Sequence, residues 1–482
     1  MAEADPVRTR IAPSPTGDPH VGNFYIALFD YVWARKCGGQ FIVRIEDTDR
    51  TRFVQGAEER FLAALEWLGL PPDEGPDRGG PCGPYRQSER LEIYRRHADQ
   101  LLEKGRAYPC FCSPERLAEV REAQKAARQS LGYDGHCRAL PADEVRAKLE
   151  AGMPHVVRLA VPDDGETTFH DILRGPVTIE NAQIDDQVLI KSDGFPTYHL
   201  ANVVDDHLMR VTHVCRAEEW ISSTPKHVLL YEAFGWDLPQ FIHMPLLRNP
   251  DRSKISKRKN PTSIDWYREQ GYLPEALRNF LALMGFSIGG DREIFSLQEM
   301  IECFSWDRVK TSGPVFDLEK LAHINGLYIR NLSAEELAAR LRDGFTRHTD
   351  VPDEKLVAIV RLVQERITRL GEFDDWTGFF FQREPYEAAD LIPKKRDADF
   401  VREVLDAVTE TLTDLPWTPE ALEQSMVELA EARQWKRRDL YMVLRVAVTC
   451  RRVSTPLFET MEILGREECM ARLALAGERL SA

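Results

Sequence analysis

The first fifty residues alternate short apolar runs with polar turns, a pattern that predicts a βαβ unit. Val7 to Ile11 reads as a strand. A Pro/Gly turn follows, then a helical run from about Val21 to Cys37, stopped by Gly38-Gly39. Phe41-Ile42-Val43-Arg44-Ile45 reads as a buried-type strand ending in Glu46-Asp47-Thr48-Asp49. In such a unit, ligands bind beyond the carboxyl ends of the strands, near the helix N-terminus. His20-Val21-Gly22-Asn23 and Glu46 both fall there.

From about Cys110 to Pro196 the rhythm breaks. A charged helical stretch, Ser113 to Ala127, is followed by a Gly/Cys turn region and short strands such as Val156-Val157-Arg158-Leu159. This segment reads as an insertion. Val211 to Cys215 then resumes the parallel sheet, followed by Arg216-Ala217-Glu218-Glu219-Trp220. Phe241 to Leu247 is a further strand, leading into a loop with Lys254. From Ser263 onward the pattern is helical. Ser333-Ala334-Glu335-Glu336 looks like a capping box, and Thr418-Pro419 pairs an N-cap with a first-turn proline. Leu440 to Thr449 and Phe458 to Leu480 also carry helical apolar spacing. The expected fold class is α/β: a Rossmann-type nucleotide-binding domain split by an insertion, followed by all-α bundles.

Composition narrows this picture. The chain has 482 residues, enough for roughly three or four domains. With 43% hydrophobic and 29% charged residues it is expected to be soluble and globular. No apolar run approaches the length of about 18 residues that a membrane span needs. Met1-Ala2-Glu3-Ala4-Asp5-Pro6 has no basic start or apolar stretch, so no signal peptide is expected. Nine scattered cysteines fit reduced thiols and a cytoplasmic location. The net charge of -15 argues against indiscriminate polyanion binding but leaves room for a local basic groove.

Two segments carry the chemistry. Pro13-Ser14-Pro15-Thr16-Gly17-Asp18-Pro19-His20-Val21-Gly22-Asn23 and Lys254-Ile255-Ser256-Lys257-Arg258 resemble the HIGH and KMSKS signatures of class I aminoacyl-tRNA synthetases. That pair implies activation of an amino acid by ATP, with magnesium in the substrate complex. Attack at the α-phosphorus needs positioning and charge stabilisation more than covalent help. His20 and Asn23, three apart at a helix start, can face one ligand. Gly22 permits close approach of the nucleotide. Lys254 and Lys257 can reach over the triphosphate from a loop that closes and opens. Asn23 stands where the signature has histidine, so it can donate a hydrogen bond but carry no charge.

Along nearly its whole length the chain resembles the bacterial glutamyl-tRNA synthetase family. The resemblance rests on Arg10-Ile11-Ala12-Pro13-Ser14-Pro15-Thr16-Gly17, Arg44-Ile45-Glu46-Asp47-Thr48-Asp49, Tyr85-Arg86-Gln87-Ser88-Glu89-Arg90, Lys191 to His199, Arg216-Ala217-Glu218-Glu219-Trp220 and the Lys254 segment. It implies a glutamate pocket in which Arg10 and Arg216 grip carboxylates, Glu46 accepts the ammonium, and Tyr198, Asn202 and Ser14 complete the wall. It implies adenosine near Gly22, Glu219 and Leu247, with Lys254, Ser256, Lys257 and Arg258 at the phosphates. Residues 1–109 and 197–262 would form the split catalytic domain, 110–196 the acceptor-binding insertion and 263–330 a stem-contact domain. Residues 331–482 would form the anticodon-binding bundles.

Within the insertion, Cys110 and Cys112 form a C-x-C pair, followed by Tyr133 and Cys137. Some members of the family bind zinc with such a set, and thiolates suit that ion. His136 is the alternative fourth ligand. Arg366 falls where a family arginine is associated with rejecting the glutamine tRNA anticodon. The resemblance implies a monomer acting on L-glutamate and glutamate tRNA, with tRNA needed even for activation, and no membrane partner. A tRNA-modifying relative that glutamylates queuosine lacks the C-terminal half, and a glutaminyl enzyme would end in β-barrels. A non-catalytic paralogue would be expected to lose His20, Lys257 or the pocket arginines.

Overall fold

The computed structural model describes residues 6–129, 131–255 and 261–481. It divides into two compact units, Met1–Tyr267 with Leu277–Asp317, and Arg268–Ala276 with Leu318–Ala482.

The first unit opens with the expected βαβ. Strands β1 (Arg8–Ile11) and β2 (Gln40–Val43) pair in parallel, with Arg10 opposite Ile42. Between them, α1 (Val21–Lys36) is buried on nearly all sides, from Val21 and Phe24 through Ala34. A helix apolar all round belongs inside a core, and this one does. Gly38, at φ +64, turns the chain out of α1. At Gly39 a Cβ would lie 2.0 Å from the Val7 carbonyl oxygen, so only glycine lets the helix end against β1. Inside this core Asp30 is fully buried, and among the described residues neither of its carboxylate oxygens has a hydrogen-bond partner.

Helices α2 (Ala57–Trp67) and α3 (Leu91–Glu103) follow, then β3 (Ala107–Cys110), α4 (Pro114–Ala126) and α5 (Ala142–Glu150). Strand β4 (Val156–Leu159) pairs antiparallel with β3 and with β7 (Val188–Ile190). The hairpin β5 (Glu166–Asp171) and β6 (Gly175–Glu180) lies instead in a four-stranded sheet with the later strands His213–Ala217 and Gln240–Met244, in which β5 is flanked by β6 and by Gln240–Met244. There β8 (His213–Ala217) and β9 (Gln240–Met244) run parallel. Helices α6 (Tyr198–Leu208) and α7 (Thr224–Phe234) flank this region. Strand β8 begins two residues later than the apolar pattern suggests, because Arg210 closes α6 at positive φ and Thr212 is engaged by Arg8.

The second unit is helical. Ser333 caps the helix Ala334–Arg342 in a reciprocal box with Glu336, and Thr418 caps Pro419–Ala432. The apolar run from Phe458 to Leu480 is two helices, Leu457–Leu464 and Arg466–Ser481, because Gly465 breaks it at φ +83. Val404, Leu422, Met426, Leu440, Leu444 and Met461 are among its fully buried residues. No described helix is long and apolar enough to cross a membrane.

Candidate active site

Three elements converge on one buried polar cluster in the first unit. Strand β1 contributes Arg10, the segment just past β2 contributes Arg44 and Glu46, and α6 contributes Tyr198, Asn202, Asp205 and Asp206. Spacings of four and of three to four residues put the α6 side chains on one helical face. Arg10 meets Asp206 through two contacts, Nε to Oδ1 at 3.1 Å and Nη2 to Oδ2 at 3.3 Å. Arg44 donates to Asp206 at 2.6 Å and to Glu46 at 3.1 Å. Asn202, with its amide set to suit its neighbours, donates to Asp206 at 3.2 Å and accepts from Arg44 at 2.9 Å. Asp205 in turn accepts from Arg90, Gln87 and Tyr94. Burial pushes the Asp206 carboxyl up, but Arg10 and Arg44 outweigh it and hold it below the usual range. Burial dominates at Glu46 and raises its carboxyl despite Arg44.

Arg216, on β8, is held differently. Its Nε donates to His243 Nε2 at 3.1 Å and its Nη2 to Thr224 Oγ1 at 2.7 Å. Its Nη1 reaches Tyr198 Oη and His227 Nδ1, each at 3.2 Å. Among the described residues no carboxylate forms an ion pair with it. Burial, opposed by Arg216, raises the Tyr198 hydroxyl, which also senses Glu46, Arg10 and Asp206. Trp220 lies tilted against Tyr198, ring centres 4.5 Å apart. The structure thus brings Arg10, Glu46, Tyr198, Asn202 and Arg216 together.

Ser14, His20 and Asn23 line a cavity of ≈ 230 Å³ with Ile45, Glu58 and Phe61. His20 is the N-cap of α1, its Nδ1 accepting from the Gly22 amide at 3.0 Å. A Cβ on Gly22 would meet that ring at 3.1 Å, so glycine here also makes room for the cap. The amide of Glu46 donates to the Pro13 carbonyl at 2.9 Å, tying the floor of this cavity to the polar cluster. Leu247 is buried; Lys254 is exposed and ion-paired with Glu219. Ser256, Lys257 and Arg258 lie outside the described residues.

In the 110–196 segment the Sγ atoms of Cys110, Cys112 and Cys137 lie within 4.8 Å of one another. Tyr133 Oη contacts Cys110 Sγ at 3.4 Å and Cys112 Sγ at 3.5 Å. Burial pushes the Cys112 thiol up to about 11. His136 is exposed and stands outside this group, so tyrosine and not histidine is the neighbour of the three thiols. In the second unit, Arg366 is exposed in the turn after the helix Asp353–Val363, with its guanidinium 5.6 Å from the Trp376 ring centre.

Sequence reading missed Asp171, Asp206, Thr224, His227 and His243. None belongs to a run with a period or a spacing that announces a site. A usable signal was chemical: two adjacent acids in the apolar helix α6, and histidines within the apolar segments α7 and β9.

A model of the class I tRNA synthetases (E and Q) catalytic domain matches residues 6–323, and an anticodon binding domain model matches 334–476. A glutamate–tRNA ligase of Thermus thermophilus is 52% identical over 474 residues, covering 98% of this chain and 99% of that one. One from Pseudomonas aeruginosa is 51% identical over 476 residues, covering 98% and 95%. The crystal structure of a glutamate tRNA ligase from Elizabethkingia meningosepticum, in complex with its amino acid, superposes with a TM-score of 0.89. It is 37% identical and covers 99% of this chain and 100% of that one. With the buried arginine cluster and the His20 cavity on one catalytic unit, these matches mean that the chain belongs to the glutamate–tRNA ligase family of class I aminoacyl-tRNA synthetases.

Proposed function

We propose that this chain activates L-glutamate with ATP and esterifies it to the 3′-terminal adenosine of glutamate tRNA. The observation that carries the reading is Arg216, a buried guanidinium with four neutral acceptors and no carboxylate partner among the described residues. A buried cation without a counter-ion is costly, and a substrate carboxylate supplies one. Arg216 therefore takes the side-chain carboxylate of glutamate. Arg10, already paired with Asp206, shapes the wall together with Ser14, Tyr198 and Asn202, and Glu46 receives the ammonium.

The α-carboxylate attacks the α-phosphorus of magnesium-bound ATP, the bond to the bridging oxygen breaks, and pyrophosphate leaves. His20 and Asn23 donate to the phosphates, Gly22, Glu219 and Leu247 frame the adenosine, and Lys254, Ser256, Lys257 and Arg258 neutralise the departing charge. Lys254 must leave Glu219 to do so. The ribose hydroxyl of the tRNA then attacks the glutamyl carbonyl, and AMP departs. Residues 110–196 hold the acceptor end, 263–330 the inner stem and 331–482 the anticodon. Three thiols within reach of one ion, with a tyrosine oxygen beside them, suit tetrahedral zinc as a brace for a segment with little apolar core. The enzyme acts as a cytoplasmic monomer.

The test is pyrophosphate exchange with glutamate, glutamine or aspartate, with and without glutamate tRNA. Exchange with glutamate only when tRNA is present is expected. Exchange with glutamate alone would favour the tRNA-modifying relative, and none at all a non-catalytic paralogue.

A further inference from the structure

Arg216 sits in the middle of a directed chain of hydrogen bonds whose proton positions can be assigned from their ends. Asp171 is fully buried, and its carboxylate accepts from the backbone amides of Leu173, Arg174 and His243. His243 Nδ1 lies 2.7 Å from Asp171 Oδ2, so Nδ1 carries the proton and donates. Its Nε2 is then a lone pair, and it accepts from Arg216 Nε. On the other side, Arg216 Nη1 can only donate, so His227 Nδ1 accepts. The proton of His227 is left on Nε2, which donates to His199 Nδ1 at 3.0 Å. Both imidazoles facing the guanidinium are therefore neutral. Burial lowers His243 and, joined by the nearby Arg216 charge, depresses His227 strongly.

The neighbouring arginine shows the alternative. Arg10 is equally buried but has its counter-ion built in, at Asp206. Arg216 has four hydrogen-bonding partners where Arg10 has two, but among the described residues no compensating charge in contact with it. Orientation and neutralisation have been separated: the rings hold the fork, and the first anion to touch it is the ligand's.

We propose that His227, His243 and Thr224 are positioning residues that hold Arg216 in place without neutralising it, so that preference for a side-chain carboxylate over the amide depends on these acceptors being uncharged. This rests on the glutamate-activating reading above. An anion built in beside Arg216 would weaken the attraction for glutamate and relieve the penalty that glutamine meets.

The experiment compares neutral and anionic acceptors at two places around the fork. Asparagine Oδ1 takes the place of imidazole Nδ1, so His227→Asn keeps a neutral acceptor and His227→Asp makes it an anion. Thr224→Ser and Thr224→Asp do the same at Nη2. Each enzyme is assayed by tRNA-dependent pyrophosphate exchange with glutamate and with glutamine, and by thermal melting. The neutral variants should keep the KM for glutamate within about fivefold of the parent. The anionic ones should raise it by about 20-fold or more, with kcat changed less, and cut the glutamate-over-glutamine ratio of kcat/KM at least about tenfold. They should also melt no lower than their neutral counterparts, because they compensate a buried cation. Equal impairment of Asp and Asn variants, unchanged discrimination in the Asp variants, or their unfolding while the neutral pair folds would overturn the proposal. No exchange by the parent would instead remove the activity reading, and this inference with it.

Discussion

Arg10 and Asp206 face each other across two contacts of 3.1 and 3.3 Å, both side chains almost wholly buried, and Asp206 also binds Arg44 at 2.6 Å. One carboxylate thus serves two buried guanidiniums. Asp206→Asn takes from Arg10 its carboxylate partner and leaves Arg44 only Glu46 and Asp205, and the expected cost is about 3–5 kcal/mol of stability. The pH dependence follows from the depressed carboxyl. Its contribution is complete above the ordinary carboxylate pKa of about 4 and is lost as the pH falls through the lower folded value. The variant should therefore show a weaker loss of stability on acidification than the parent. An unchanged acid limb in a denaturant series would sink this account.

Asp30 presents the opposite case. Burial drives its carboxyl well above the usual range, and no described residue hydrogen-bonds its carboxylate oxygens. A group whose folded pKa is raised binds more protons folded than unfolded, so stability falls as the pH rises from about 4 toward the folded value. Asp30→Asn removes that loss. At pH 8 the variant should melt about 2–4 °C higher than the parent, and the gain should shrink toward pH 4. A lower melting point at pH 8 would count against it.

For the cysteine cluster, the expected result is close to one zinc per purified chain, lost in Cys110→Ser. Removing the metal with a chelator should lower the melting temperature of the parent and leave that variant unaffected. Fewer than about 0.2 zinc per parent chain would rule the site out as a metal centre.

Lys257→Ala should bind glutamate nearly as the parent does yet lose at least about 100-fold in activation rate, because its charge is needed only as pyrophosphate departs. A rate within about threefold of the parent would show that the lysine does not stabilise the transition state.

Arg366 is free to meet a base, exposed and over Trp376 as a flat cationic platform. Arg366→Gln should raise charging of glutamine tRNA relative to glutamate tRNA by about tenfold or more. Equal ratios in both enzymes would cancel the anticodon role.

What the linear chain determined was everything that depends on local rules. Apolar runs bounded by Gly38-Gly39 and by the Pro13–Pro19 turn specified the opening βαβ, and Ser333 with Glu336 and Thr418 with Pro419 specified two helix starts. Short motifs placed Arg10, His20, Glu46 and Arg216, because a family's chemistry is written in contiguous residues. Boundaries moved where a distant residue intervened, as Arg8 does at Thr212. Only the tertiary structure decided that the hairpin Glu166–Glu180 joins the sheet of β8 and β9, that Tyr133 and not His136 meets the cysteines, and that Asp206 and the Asp171–His243 pair stand behind the two arginines. The contacts behind the two arginines join residues 27 to 196 positions apart. Their partners are chosen by burial and charge compensation in three dimensions, and neither quantity is local in the chain.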